Sequence, residues 1–232
     1  MYKTILVSTL VLLSALSGRA QANKEVRFRF APTFEYKNIV LEEASYNLPD
    51  GGTVVFEEFK CYISDIKFYK GEELVFAETN SFHLIDARRE SSMTFMVKMS
   101  ADITYSSVKM NIGVDSVTST SGALGGDLDP AKGMFWTWQS GYINLKLEGR
   151  SNKCPTRKNR FQFHLGGYAQ AENTLQAIQI NTKPGKDIAI DIPLDQFLRE
   201  IDLAQLNSIM SPGPEAVALS KKIALLFSGK GK

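Results

Sequence analysis

The sequence predicts a mainly β protein, an antiparallel β-sandwich or barrel-like domain that ends in a C-terminal amphipathic helix. Two patterns support the strands: short segments in which apolar and polar residues alternate, and turn signals rich in glycine, proline and asparagine between them. A third pattern supports the helix, because apolar residues near the end of the chain change to a helical spacing. Repeated short strands joined by hairpin turns are typical of sandwiches and barrels.

Residues 1–22 are expected to be a signal peptide that is not part of the fold. Lys3 supplies the positive start, residues 5–16 are apolar but too short to span a membrane, and residues 20–22 (Ala-Gln-Ala) match a cleavage site. Cleavage after residue 20 and after residue 22 both fit this pattern. A lipid anchor would require a cysteine directly after the apolar stretch, and none is present there. No later apolar stretch is long enough to be a membrane span. We therefore expect a periplasmic or secreted protein.

The composition indicates one soluble globular domain over residues 23–232. The chain is 44% hydrophobic and 22% charged, which is ordinary for such a domain. The signal peptide carries two of the 27 lysine and arginine residues, so 25 basic residues remain against 25 acidic ones. The mature chain is formally neutral, and this balance gives no support for a nucleic-acid partner.

The predicted elements follow from these patterns in chain order. In residues 25–31 a valine and two phenylalanines alternate with polar residues, which indicates the first strand. Gly71 is expected to turn a hairpin, and a short helical segment is expected at 193–201. The C-terminal helix is predicted at about 213–228, with Pro214 before its first turn. Further strands are predicted at about 53–59, 61–69, 74–78, 81–87, 94–100, 108–116, 142–147, 160–168, 175–181 and 186–194.

The chain is organised around residues 111–149, which hold a polar glycine-rich loop, both tryptophans and a clear strand. In that strand Tyr142, Asn144 and Lys146 alternate with apolar residues, as expected of a half-buried strand. Trp136 and Trp138 share this period of two, so we expect them on one face. Their large rings at the junction of loop and strand serve either packing or a site.

Two cysteines, Cys61 and Cys154, would enter an oxidising compartment, where a disulfide is permitted. Cys61 lies in an apolar, strand-like run and Cys154 in a basic loop. The sequence does not show whether their Cα atoms come within bridging distance. A disulfide and its alternative, a buried thiol at Cys61 with an exposed one at Cys154, therefore both stay open.

We expect that the protein is not an enzyme. The chain contains no HExxH, CxxC, P-loop or GxSxG motif. A hydrolase would need Asp127, Asp129 or Glu148, but both aspartates lie in a Gly-Gly-Asp-Leu-Asp-Pro segment, where aspartate is an ordinary turn former. The oxygens of Asp127 and Asp129 also suit a hard cation such as Ca²⁺, although the loop lacks the EF-hand pattern.

The chain has only two histidines, and they differ in context. His164 lies on the polar side of a strand with an aromatic other side, before Gly166 and Gly167, where backbone can approach another group closely. His83 lies in an apolar run, which is typical of a hydrogen-bonded core histidine. Imidazole and thioether ligands in an exported protein favour copper, and Met134 lies close to the tryptophan pair in sequence. His164, His83 and Met134 are therefore the candidate metal ligands.

Several stretches between residues 60 and 170 resemble the MbnP-like copper-binding domain family of bacterial proteins. The segment 133–142, Gly-Met-Phe-Trp-Thr-Trp-Gln-Ser-Gly-Tyr, is the most specific match, because two tryptophans framed in this way are improbable by chance. The terminal helix is also similar. The matching stretches keep the family's order across residues 60–170 and lie at 61–66, 82–86, 112–116, 128–130, 133–142, 146–149 and 163–167.

The resemblance implies an exported β-sandwich-like domain, often encoded beside a di-haem cytochrome c peroxidase-like partner. In the family, that partner can oxidise a tryptophan to kynurenine, and copper-binding members hold copper with histidines and the modified ring. Carried over by motif, Trp136 is the candidate for oxidation, Trp138 is second, and His164 is the best candidate ligand. The pattern departs from the copper-binding members because residues 130–142 contain no histidine, so that His83 would have to supply a second imidazole from another strand.

The resemblance therefore implies an exported copper-binding and copper-handling protein that carries a tryptophan oxidised to kynurenine by its haem partner. The alternative is a periplasmic or surface module without metal, in which Trp136, Trp138 and Tyr142 form an aromatic platform for a sugar or peptide. Copper binding that depends on His164 would favour the first function. Ligand binding that is insensitive to chelators but lost in Trp136→Ala would favour the second.

Overall fold

The computed structural model describes residues 22–139 and 141–229, so the expected signal peptide lies outside the described residues except for Ala22. The helices are α1 (Ser116–Thr120), α2 (Leu194–Arg199) and α3 (Pro214–Ala224), with short 3-10 turns at Glu90–Met93, Gly126–Leu128, Pro130–Lys132, Arg157–Asn159 and Gln170–Glu172. The strands are β1 (Asn23–Phe34), β2 (Lys37–Asn38), β3 (Tyr46–Asn47), β4 (Thr53–Lys70), β5 (Glu73–Ala77), β6 (Phe82–Asp86), β7 (Thr94–Ser100), β8 (Ser107–Ile112), β9 (Phe135–Trp136), β10 (Gly141–Ser151), β11 (Arg160–Gly166), β12 (Gln176–Asn181), β13 (Asp187–Pro193), β14 (Ser208–Ile209) and β15 (Ser228–Gly229).

The strands form two mixed sheets, which confirms the mainly β prediction. The smaller sheet has the order β15-β13-β1-β2, and β7 also pairs with β1. The larger sheet has the order β12-β8-β4-β10-β11-β14, with β3, β5 and β6 paired to β4 and β9 paired to β10. Most pairs are antiparallel as expected, but β1 pairs with β13, and β11 with β14, in parallel.

The main core lies between the two sheets, where the apolar side chains of alternating strand positions meet. Phe28 of β1 packs edge to face on Phe68 of β4, with ring centroids 6.0 Å apart. Cys61 and Ile63 of β4 also point into this core. Because side chains alternate across a strand, Tyr62 between them points to the opposite face of the larger sheet. We call that opposite face the outer face.

Strand β4 is the central strand of the larger sheet, because β3, β5, β6, β8 and β10 all pair with it. Residues 53–70 form one strand, although the sequence predicted two pieces. Its pairing with β8 shifts register between Ser64 and Lys67, and Asp65 has a φ of 53° there. A bulge bends and twists a strand without ending it, so one long strand can hold neighbours along its whole length. The hairpin predicted at Gly71 is confirmed by β5.

The predicted C-terminal helix is confirmed as α3, which ends at Ala224 and not at about 228, because residues 225–226 form a turn before β15. Its start follows from Pro214 at the first turn, and Leu219 and Ile223 pack on the main core. The predicted helical segment at 193–201 is α2. Within residues 22–139 and 141–229, no helix is long and apolar enough to cross a membrane.

Candidate functional site

Residues 113–139, which we call the cap, fold over part of the outer face and form a second, smaller core there. The phenol of Tyr142 anchors this segment, since its oxygen accepts a hydrogen bond from Leu124 N at 3.0 Å and donates one to Leu128 O at 3.0 Å. Burial raises the pKa of Tyr142, so the phenol stays a donor at neutral pH. The buried members of the second core are Tyr62, Leu84, Val114, Leu128, Met134, Trp136, Tyr142 and Ile143.

The cap changes what the sequence predicted for β10. Tyr142 and Asn144 were expected on a polar, solvent-facing side, yet Tyr142 is 1% exposed and Asn144 2%. Asn144 accepts a hydrogen bond from Val114 N at 2.9 Å and donates one to Thr174. The prediction of a half-buried strand was wrong for this part of β10. The cap covers its polar face, and the alternation of residues within β10 gives no sign of that cover.

Two lysines of the outer face hold the end of the cap that carries the tryptophans. Lys60 donates to Lys132 O at 3.2 Å, and Lys146 donates to Gly133 O at 2.8 Å. Both ammonium groups also face the carboxylate of Glu58, at 2.7 and 3.7 Å. These bonds fix the backbone immediately before residues 134–136.

The two loop aspartates have structural partners. Asp127 accepts hydrogen bonds from Leu84 N at 3.1 Å and from the ammonium of Lys132. Asp129 caps the next 3-10 turn by accepting from Ala131 N at 2.8 Å. The Asp129 carboxylate therefore acts as a turn former, whereas the Asp127 carboxylate ties the cap to β6. In the part of the chain that the structure describes, no three His, Cys, Asp or Glu side chains form a group able to hold a metal ion.

The indole of Trp136 lies against the backbone of Gly166. A Cβ atom added at Gly166 would meet Cζ3 of Trp136 at 2.6 Å and Cη2 at 2.9 Å. The prediction that Gly166 and Gly167 permit a close approach is thus confirmed at Gly166. Any side chain at position 166 would push the indole off the strand.

The two tryptophans touch, as expected of side chains on one face, but they differ in exposure. Their ring centroids are 5.6 Å apart with planes inclined by 42°. Trp136 is 7% exposed, whereas Trp138 is 63% exposed. With Tyr142 buried beneath the cap, Trp138 is the one ring of the proposed aromatic platform that solvent reaches freely. These three residues therefore do not form a joint exposed surface.

His164 is held by a carboxylate. Its Nε2 lies 2.6 Å from Glu148 Oε1, and both side chains are nearly buried. Gln162 also donates to Glu148, at 3.3 Å. The bond with His164 is the largest cause that holds the pKa of Glu148 below its usual value, so this carboxylate stays ionised at neutral pH. Among the described residues, the His164 ring forms a hydrogen bond only with Glu148, through Nε2. Its Nδ1 atom therefore remains available to bind another group.

Trp136 and His164 are neighbours on the outer face. His164 and Gly166 are two positions apart on β11, so their Cβ directions point to the same face, and the indole of Trp136 covers Gly166. Met134 belongs to the same small core but is 0% exposed. The structure thus brings Trp136, Trp138 and His164 together at one end of the outer face.

His83 lies elsewhere. It pairs across the sheet with Ile63, a main-core residue, so its ring points to the inner face. There it stacks on Phe95 at 3.7 Å between centroids and lies 2.9 Å from a carboxylate oxygen of Glu78. The two histidines therefore lie on opposite faces of the larger sheet. The structure does not bring His83 to His164.

Both cysteines are free thiols and both are buried, so they form no disulfide with each other. Of the alternative, the buried thiol at Cys61 is confirmed and the exposed thiol at Cys154 is wrong. Burial raises the pKa of both thiols. Sequence reasoning also missed the role of Glu148, which was considered only as a hydrolase carboxylate. Its link to His164 is diagonal across two strands, and no signal within either strand reveals that register.

The fold has known relatives. The family model MbnP matches residues 23–211. Among solved structures, the chain is similar to MbnP from Methylosinus trichosporium, with a TM-score of 0.58, covering 84% of this chain and 87% of that chain. The two sequences are 14% identical, so this likeness shows the fold alone. No curated protein sequence matches the chain.

Proposed function

The chain belongs to the MbnP family, and on this basis we propose that it is an exported protein that binds and handles copper. The observation that carries the proposal for this chain is the neighbourhood of Trp136 and His164 on the outer face. One ring nitrogen of His164 bonds to Glu148, and the other, which has no hydrogen bond within residues 22–139 and 141–229, is the one that would bind a metal. A carboxylate on the distal nitrogen is the usual way in which proteins orient a ligating histidine and raise its basicity.

The unmodified side chains fit a copper site only in part. His164 supplies one imidazole, while His83 is on the opposite face and Met134 is fully buried. Copper sites in proteins generally use several nitrogen or sulfur ligands. We therefore propose that Trp136 becomes a ligand after its oxidation to kynurenine, which exposes an aromatic amine and a carbonyl beside His164.

The oxidation needs an outside oxidant, and the proposed one is a di-haem peroxidase-like partner that uses hydrogen peroxide. A four-electron oxidation adds two oxygen atoms across the C2–C3 bond of the indole, and two peroxide molecules accept those electrons and end as water. Hydrolysis then releases the formyl group as formate and leaves kynurenine. In this scheme the chain is the substrate of the partner and not itself an enzyme.

The end of the molecule around Trp138 has the chemistry of a protein-docking surface. Four segments that meet there contain no Asp, Glu, Lys or Arg, although such residues make up 22% of the chain; they are 116–126, 133–139, 165–171 and 208–214. The charged residues that directly flank them are Asp115, Asp127, Lys132, Glu172 and Glu215. Ser116 donates to Tyr168 O, and Pro212 lies 3.1 Å from a Cβ added at Gly167. Depletion of charge with exposed apolar side chains is typical of interface cores. The exposed apolar residues of this uncharged end are Val117, Leu124, Trp138 and Met210.

The test is mass spectrometry of the protein purified from its native host, with copper quantified in the same sample. Conversion of tryptophan to kynurenine adds about 4 Da to the peptide that contains Trp136. We expect copper to copurify with this modified form and to be absent from the unmodified form. Unmodified tryptophans without copper, in cells that express the haem partner, would contradict the proposal. Trp138 would then be an exposed contact of a metal-free binding module.

A further inference from the structure

We infer that Trp138 is an electron relay, which passes electrons from the buried Trp136 to an oxidant at the protein surface. The inference rests on the proposed function in that Trp136 is the ring to be oxidised. It goes further because it gives the second tryptophan a redox role of its own. It also explains how a ring inside the protein can react with a partner outside it.

Access to the two rings is the first step of the argument. Trp136 is 7% exposed and its six-membered ring is pressed on the backbone of Gly166. A protein-sized oxidant reaches little of such a ring while the cap is folded. Trp138 is 63% exposed at the uncharged end. An oxidant docked at this end therefore meets Trp138 first.

Contact between the rings is the second step. Their centroids are 5.6 Å apart, within the range of interacting aromatic pairs. At such a separation an electron passes directly from one π system to the other, with no intervening group. No Asp, Glu, Lys or Arg lies in 133–139 or 165–171, so these two segments place no charged side chain of their own beside Trp138.

The electron balance is simple. The surface oxidant takes one electron from Trp138 and is reduced by one. The radical cation of Trp138 takes one electron from Trp136 and becomes an intact indole again. Trp136 is left oxidised by one electron and releases its indole N–H proton to water, which reaches the 7% of the residue that is exposed. Repetition accumulates oxidation at Trp136, while Trp138 ends each cycle unchanged.

A bulky photo-oxidant tests the relay without the haem partner. Ruthenium tris-bipyridine is flashed with persulfate as the final electron acceptor, and peptide mass spectrometry then measures oxygen added at Trp136 and at residue 138. The parent is compared with Trp138→Phe, which keeps an aromatic ring over Trp136 but is much harder to oxidise. Trp138→Tyr restores a ring that can be oxidised. Trp136→Phe is the control that locates the product.

We expect oxidation at Trp136 in the parent, a severalfold loss in Trp138→Phe and recovery in Trp138→Tyr. Equal oxidation of Trp136 in the parent and in Trp138→Phe would overturn the relay, and so would a loss that Trp138→Tyr does not restore. A parent protein in which Trp136 stays unoxidised would also overturn the relay. The proposed function is tested separately, because kynurenine and copper are measured on native protein. A relay that fails here leaves that result untouched.

Discussion

The indole of Trp136 occupies the space that a side chain at position 166 would need, with Cζ3 only 2.6 Å from where a Cβ on Gly166 would be. The glycine therefore sets how closely the ring approaches β11. Because His164 points to the same face two residues earlier, this approach also sets the distance between the indole and the imidazole. The candidate site depends on an absent side chain as much as on those present.

Gly166→Ala should displace Trp136 and destabilise the protein. Overpacking of a well-packed site typically costs about 1–3 kcal/mol. We expect a lower unfolding midpoint in urea and a red shift of tryptophan fluorescence as the ring meets water. Gly125→Ala is the matched control, since Gly125 has a φ of −96° and no atom within 4 Å of an added Cβ. Parent-like behaviour of Gly166→Ala would contradict the packing described for Trp136.

Copper binding by the oxidised protein should depend on one histidine and not on the other. His164→Gln removes the imidazole beside Trp136, so we expect copper retention to fall sharply in protein that carries kynurenine. His83→Gln changes a ring on the opposite face and should leave copper unchanged. The measurement is copper per protein after desalting, with kynurenine content checked by mass. Equal losses in both variants would be inconsistent with a site at His164.

Glu148 should contribute to stability at neutral pH and lose that contribution in acid. Its bond with His164 lowers the pKa of the folded carboxyl, so the folded state favours the ionised form. This stabilisation is complete above the unfolded pKa of the carboxyl and disappears as pH falls through the lower folded value. A hydrogen bond to a charged group is worth about 1.5–3 kcal/mol.

Urea unfolding of the parent and of Glu148→Gln, from about pH 7 down to about pH 3, measures this effect. We expect the gap between the two curves to narrow toward acid. Glu73→Gln is the control, because Glu73 is exposed on β5, and it should resemble the parent throughout. A gap that stays constant or widens in acid would show that Glu148 does not act through its ionised form.

Both cysteines should be unreactive in the folded protein and reactive once it unfolds. Cys61 and Cys154 are 0% and 1% exposed, and burial raises the pKa of both thiols, which lowers the thiolate fraction. A thiol reagent should therefore modify neither in native buffer and both in strong denaturant without reductant. A mass that is lower by two hydrogens, with no free thiol in denaturant, would reveal a disulfide instead.

The elements that could be predicted are those with local signals. Alternation identified β1 and β11, Gly71 identified the hairpin, and Pro214 with helical spacing identified α3. The pair Gly166-Gly167 also indicated a close approach of another group. In each case the pattern lies within about ten neighbouring residues, so one sequence suffices.

The remaining features depend on contacts between separate segments of the chain. The cap covers Tyr142 and Asn144, and nothing within β10 reveals a cover over its polar side. The bond between His164 and Glu148 depends on the register of two strands, and a shift by one residue would have turned one of them inward. The opposite faces of His83 and His164 follow from the same kind of information.

The parallel pairing of β1 with β13 has a consequence for how the chain folds. Arg27 and Asp187, which bond across this pair, are 160 positions apart. Non-local pairing of this kind is slow, because the entropy of closing a long loop is lost before the contact forms. The hairpins of the larger sheet can form from neighbouring segments, and β1 can pair with β2 and β7, whereas the pairing of β1 with β13 must wait for the last quarter of the chain. We expect the larger sheet, whose outer face carries the tryptophans, to form first and the smaller sheet to be completed later.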